Sequence, residues 1–320
     1  MSTFRERLAV AVERHDSLVC VGLDPVPERL PQGISRDADG IVEFNRRLIE
    51  ATADLACCFK PNFPFYGALG ARGVEALQQT IDAVPDEVPV LLDCKMGDIG
   101  STAERWAHMA FAELGADAVL VRTPSYFKGQ LTTSSFIRHY SAVADACPVP
   151  VLLYNFSGLT GVTLPVAAVA ALSSHENIVG LKESGPDMNY VGDLVGLASD
   201  GFSVLVGSAP TFFTSLVLGA HGGILALACV APAACVRIQE LVRAGDYDAA
   251  RELQRQVIPL AKLVTSTYGV AGLKTALGLL GYVGGRPRPP LEPVDDDAVA
   301  QIQLQLDRLP TPGSHVKVLL

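Results

Sequence analysis

The sequence predicts one α/β domain over residues 1–320, a single (β/α)8 TIM barrel with extra C-terminal helices. Three observations carry that expectation. Short apolar or β-branched runs recur eight times, with helical periodicity between them. Each run is nearly continuous in apolar residues, as parallel strands buried on both faces are. The 320 residues also suffice for one closed barrel, which commonly uses about 250. An open doubly wound sheet is the competing arrangement. No Gly-x-Gly-x-x-Gly follows the first run, however, and eight evenly spaced units suit closure better.

In chain order, the opening MSTFRERLAVAVERHDS has the pattern of an amphipathic helix, not of a signal peptide. Strands are expected at Leu18–Leu23, Leu55–Phe59, Val88–Leu92, Ala118–Val121, Pro150–Leu153, Ile178–Leu181, Ser203–Val206 and Gly223–Leu227. Helical periodicity fills the intervals, for example over Gly40–Ala53 and Ser101–Leu114. Past the eighth strand, helices are expected at about Ala233–Ala244, Tyr247–Tyr268 and Val270–Leu280. The second of these has a Gly-Asp start and an apolar stripe, the signs of a capped amphipathic helix. Gly284–Pro293 is a Pro-rich connector, and a last helix spans roughly Asp296–Leu309.

Composition narrows the partners. Hydrophobic residues make up 49% of the chain and charged residues 18%, enough apolar material for a large core. A net charge of −9 argues against a nucleic-acid surface, which needs clustered Lys and Arg. No apolar run reaches membrane-spanning length. The seven cysteines (Cys20, Cys57, Cys58, Cys94, Cys147, Cys229 and Cys235) are odd in number and lack a C-x-x-C, which suits thiols in a reducing cytoplasm. The six histidines show no ligand spacing, so no metal is expected, and nothing calls for a cofactor.

Charge placement is more telling. Of seven lysines, Lys60, Lys95 and Lys182 fall at or just past an expected strand end, as do Asp24, Asp93 and Glu183. Barrel enzymes keep their chemistry at the carboxyl ends of their strands. A strand-end lysine is also often a solvated cap, but three of seven is a weak case for caps alone. Lys182 ends an apolar run. Burial there would favour its neutral amine, a nucleophile able to form a Schiff base with a ketone. Tyr154, one strand away, could relay protons or could be an ordinary core aromatic. Asp93 and Lys95 are two apart and share a face, with Asp98 in the following loop. With Asp24 and Lys60 they make an alternating acid–base array, either catalytic, with Lys95 as proton donor, or a structural ion-pair network.

These residues resemble two families. Residues 1 to about 114 are similar to orotidine 5′-phosphate decarboxylase through VCVGLDPVPERLP, CCFKPNFPFYGALG and LLDCKMGDIGSTAERWA. That resemblance implies Lys95 as proton donor, Asp93 and Lys60 in its charged array, Asp98 acting across a dimer interface, and Asp24 on the ribose. From about Val121 the chain resembles the dihydrodipicolinate synthase/N-acetylneuraminate lyase family through VRTPSYFKG, VPVLLYNFSGLTGVTLP, NIVGLKESGPD, VLVGSAPTFF, GAHGGILALACVAP and GVAGLKTALGLLGYVGGRPRPPL. This second resemblance implies Lys182 as the Schiff-base lysine, Tyr154 as its relay, Tyr126 as a second relay across a subunit interface, and backbone near Ile224 lining the ketoacid site. Gly115–Val121 suits both families and marks the junction, three β/α units on one side (residues 1–120) and five on the other (121–320).

Each part departs from its pattern. KPNFPFYG stands where the lyase family has G-T-T-G-E, and Leu159 where true dihydrodipicolinate synthases carry arginine. ACVAPAAC, after the eighth strand, has no arginine to grip a nucleotide phosphate. Gly207–Ser208 opening a helix is a weak anion site. Three readings follow. The first is a class I, Schiff-base lyase acting on a 2-oxoacid such as pyruvate. The second is orotidine 5′-phosphate decarboxylation, and the third is a recombined barrel that folds without turnover. The expected partners are a small-molecule substrate and further copies of the chain in a homo-oligomer.

Overall fold

The computed structural model describes residues 4–93 and 117–309. Within it the chain divides into two compact units. The first runs to Lys182 and takes back Gly196–Ser203; the second comprises Glu183–Val195 and the chain from Val204 onward.

The first unit is built on parallel strands laid side by side in chain order. Strand β1 (Cys20–Leu23) pairs with β2 (Cys58–Pro61) in the register Cys20↔Cys58 to Leu23↔Pro61. β2 meets the short β3 (Leu91–Leu92) through single bridges at Phe59↔Val90 and Asn62↔Asp93. β3 then pairs with β4 (Ala118–Arg122), and β4 with β5 (Val151–Asn155). β6 (Ile178–Glu183) follows β5 in the order. Gly180 of β6 permits a close approach: a Cβ there would lie 2.5 Å from the carbonyl oxygen of Ser203. Helices Phe4–His15, Ala38–Thr52, Gly70–Asp82, Thr133–Ala146 and Val166–Leu172 bury apolar faces, with Ile41, Ile49, Leu77, Phe136, Ala168 and Val169 among the most enclosed residues. Two of them are capped as their sequences suggest. Asp37 accepts from the Gly40 amide at 3.0 Å, and Thr132 and Ser135 form a reciprocal capping box.

In the second unit β7 (Ser203–Val206) pairs in parallel with β8 (Gly222–Gly223). Its core joins Phe212, Leu227, Ile238, Val257, Leu260, Val264, Ala276 and Ile302. Helices Pro232–Arg243, Tyr247–Lys262, Gly269–Leu279 and Asp296–Asp307 supply most of it. Asp246 caps the second of these by accepting from Ala249 at 3.1 Å. Among the described residues no helix is long and apolar enough to cross a membrane.

Several expected boundaries need correction. The run Gly223–Leu227 is strand only at Gly222–Gly223; Ala226–Cys229 turns into a 3-10 helix. The helix expected through Tyr268 ends at Lys262 and passes into a π turn over Leu263–Thr267. Pro259 has already removed one amide from its ladder. In the third strand Pro89 has no N–H to give, and the Val88 amide closes a turn onto Pro85, so pairing starts only at Val90. β1 and β2 begin later than expected, at Cys20 and Cys58, and β5 and β6 run on to Asn155 and Glu183. The helix expected at Ser101–Leu114 lies outside the described residues.

A buried polar link ties the helical layer to the end of β1. Asn45 donates to the Tyr66 hydroxyl at 2.9 Å and to Thr80 at 3.1 Å, and the Tyr66 hydroxyl donates to the Leu23 carbonyl at 3.1 Å. Tyr66→Phe removes the bonds to Asn45 and to the Leu23 carbonyl, at a cost of about 1–3 kcal/mol. Urea denaturation is expected to show a lower midpoint with an unchanged slope; coincident curves would show that the link contributes nothing.

Candidate active site

Side chains alternate along a strand, so Cys20, Gly22 and Asp24 share one face of β1 and its continuation. Cys58, Lys60 and Asn62 share the matching face of β2. The register stacks them as rungs: Cys20 beside Cys58, Gly22 beside Lys60, and beyond the strands Asn62 donating to Asp24 at 3.2 Å. Asp93 follows β3. Its amide bonds the Pro61 carbonyl at 2.9 Å and its carbonyl accepts from Phe63 at 3.0 Å, so the backbone of β2 pins it in place. Its carboxylate lies 3.8 Å from the Lys60 ammonium, with both side chains largely enclosed. Burial alone would lower the Lys60 pKa. Asp24, Asp93, Cys20 and Cys58 together outweigh it and hold the lysine above its ordinary value.

Lys182 and Tyr154 come from neighbouring strands of the same unit. The Lys182 ammonium sits 4.4 Å from the centre of the Tyr154 ring, within cation–π range, and both residues are half-buried. The Tyr154 ring also packs near Phe156, at 6.4 Å between centroids. One group reports on both lysines. Hydrogen bonding from Cys58 is the largest influence lowering the Cys20 thiol; burial opposes it, and Lys60 and Lys182 both pull the thiol down further. The two lysines, expected from two different sequence patterns, thus both act electrostatically on Cys20.

Other expected residues are placed differently. Tyr126 stands 80% exposed on the loop after β4, and Leu159 is 78% exposed. Ile224 belongs to the second unit, where its amide bonds the Val206 carbonyl at 2.8 Å. Glu183 is buried and accepts from the Gly185 amide, an anchor for the loop after β6. Gly207 packs against Ser184 ahead of a single 3-10 turn at Ala209–Thr211, which is a poor anion cradle. Lys95 and Asp98 lie outside the described residues.

Two polar residues escaped the sequence reading. Asn62 Oδ1 and Thr123 Oγ1 are buried and lack hydrogen-bond partners among the described residues. Thr123 directly follows β4, and its amide bonds the Tyr154 carbonyl at 3.1 Å. The signal for both was position, a polar residue one step past an apolar strand.

With this geometry in view, comparison with known proteins is decisive. The sequence model of the Dihydrodipicolinate synthetase family matches residues 72–309. The chain belongs to that family. Its fold is accordingly the α/β TIM barrel with extra C-terminal helices. The 4-hydroxy-tetrahydrodipicolinate synthase of Exiguobacterium sibiricum is 33% identical over 215 residues, 67% of this chain and 72% of that protein. The crystal structure of YagE, a prophage protein of the dihydrodipicolinic acid synthase family from E. coli K12 in complex with pyruvate, superposes with a TM-score of 0.69. It shares 26% identity, covering 91% of this chain and 99% of that one. The orotidine 5′-phosphate decarboxylase of Herpetosiphon aurantiacus is 53% identical over 116 residues, 36% of this chain. The chain spans less than half the length of the curated orotidine 5′-phosphate decarboxylases that it matches.

The Lys60 ion pair gives a testable pH dependence. A lysine raised by its partners in the fold contributes stability that is complete below its unfolded pKa of about 10.4 and is lost as pH rises through the higher folded value. The stability difference between wild type and Lys60→Met is expected to stay level from neutral pH to about 10 and shrink above it. Urea denaturation across that range checks the sign, and a difference that grows with alkalinity contradicts it.

Proposed function

We propose that this family member is a class I carbon–carbon lyase acting on a 2-oxoacid such as pyruvate, with Lys182 as the covalent residue. The observation that carries the reading is the Lys182 amine held 4.4 Å from the Tyr154 ring at adjoining strand ends. The YagE structure, described as a complex with pyruvate, supports the substrate class. In this reading the amine adds to the 2-oxo carbon, and the carbinolamine loses water to give a Schiff base. The resulting iminium withdraws electrons from the adjacent carbon, so a proton or an aldehyde can leave it. Tyr154 relays protons to and from the carbinolamine. Tyr126, exposed on one subunit, serves as a second relay in a neighbouring copy. No cofactor is required, because the lysine itself supplies the electron sink. Leu159 offers no charge to a second carboxylate, which directs the enzyme away from lysine biosynthesis. The working form is a cytoplasmic homo-oligomer, and light scattering on the eluted protein reads the subunit number.

Borohydride in the presence of pyruvate is expected to leave one reduced adduct on Lys182, and Lys182→Ala to abolish it. Intact-mass measurement on folded protein decides, and an unchanged mass removes this reading.

The Asp24–Lys60–Asp93 array favours a second reading, decarboxylation of orotidine 5′-phosphate with Lys95 as proton donor and Asp98 as its companion. Such catalysis draws on binding energy from a remote phosphate, and ACVAPAAC has no arginine to grip one. Turnover of orotidine 5′-phosphate is therefore expected to be absent or severely impaired in a spectrophotometric assay. Robust turnover that Lys95→Ala eliminates would reverse the ranking.

A further inference from the structure

The lowest rung of the β1–β2 ladder has no part in either chemistry above. Cys20 and Cys58 are register partners on parallel neighbouring strands, with side chains on the same face. Neighbouring strands run about 4.8 Å apart, which falls within the Cα separation a disulfide spans. The next rung up is open on one side: Gly22 is exposed, and a Cβ built on it would meet nothing within 4 Å. Cys20 is itself only partly buried, so the pair is not sealed from solvent.

We propose that Cys20 and Cys58 form a redox-active dithiol that takes hydroperoxides and closes to a disulfide. Cys20 attacks one peroxide oxygen; the O–O bond breaks, hydroxide leaves and takes up a proton as water, and sulfur is oxidised to the sulfenic acid. Cys58 then attacks that sulfur, the S–O bond breaks, and a second water departs. One peroxide is reduced to two waters as two thiols become one disulfide. The division of labour follows from the surroundings. The hydrogen bond from Cys58 lowers Cys20, burial opposes this, and the lysine ammonium groups lower it further. Cys58 is pushed up, first by its bond to Cys20 and then by burial, so it is the resolving thiol. The other enclosed thiols are poor competitors. Burial pushes Cys57 up to about 12, Cys147 to about 11 and Cys235 to about 12. Cys57 also projects from the opposite face of the strand leading into β2.

The test is brief treatment of the full-length protein with hydrogen peroxide, quenching by alkylation in denaturant, and non-reducing peptide mapping. The expected result is loss of two alkylatable thiols and a cross-link joining the Cys20 peptide to the Cys57–Cys58 peptide. That cross-link should survive Cys57→Ser and vanish in Cys58→Ser, where Cys20 stops at the sulfenic acid and is trapped by dimedone. Wild-type protein in which Cys20 and Cys58 both remain alkylatable after peroxide overturns the proposal. So does a cross-link that persists in Cys58→Ser. Neither readout depends on Lys182.

Discussion

The site rests on one constraint, the parallel register of β1 against β2. Because side chains alternate, a register fixed at Cys20↔Cys58 leaves no choice about the rest: Lys60 must stand beside Gly22, and Asn62 beside Asp24. A slip of one residue would turn Lys60 and Asp24 to opposite faces and strand a lysine in the apolar layer under the helices. The bridge Asn62↔Asp93 carries the same register to the next strand, where backbone bonds to Pro61 and Phe63 hold the Asp93 carboxylate near Lys60. Charge compensation then makes the arrangement tolerable. Burying a lysine costs free energy, and here Asp24 and Asp93 offset that cost enough to leave the group above its ordinary pKa.

Lys182 is held by different means. The Tyr154 ring lies 4.4 Å from its ammonium and attracts it through the ring quadrupole. In the proposed reading Lys182 is the nucleophile, while Asp24 and Asp93 keep Lys60 positively charged.

Much of this was legible in the sequence because parallel strands advertise themselves. Ser203–Val206 was bounded correctly from its apolar run, and Lys182, Lys60 and Asp93 were found by position at strand ends. The failures have local causes. GGILALAC reads as a strand, but the chain leaves the sheet after Gly223 and turns into a 3-10 helix at Ala226–Cys229. Pro89 removed a donor that composition alone does not weigh, which shortened β3. Asn62, Thr123 and the Cys20–Cys58 pair were missed because their importance lies in cross-strand partners, or the lack of them, and a single chain pattern does not reveal register.

The central proposal is that the Lys182 amine, beside the Tyr154 ring, is the reactive group, in a cavity that the Lys60–Asp93 pair also faces. A crystal structure of the protein after reduction with borohydride in the presence of pyruvate tests this most directly. The account predicts continuous density from Lys182 Nζ into the reduced adduct, with the Tyr154 ring alongside and the Lys60 ammonium facing the same cavity. An adduct on any other lysine, or a Lys60 side chain facing away from the one that Lys182 occupies, would contradict it.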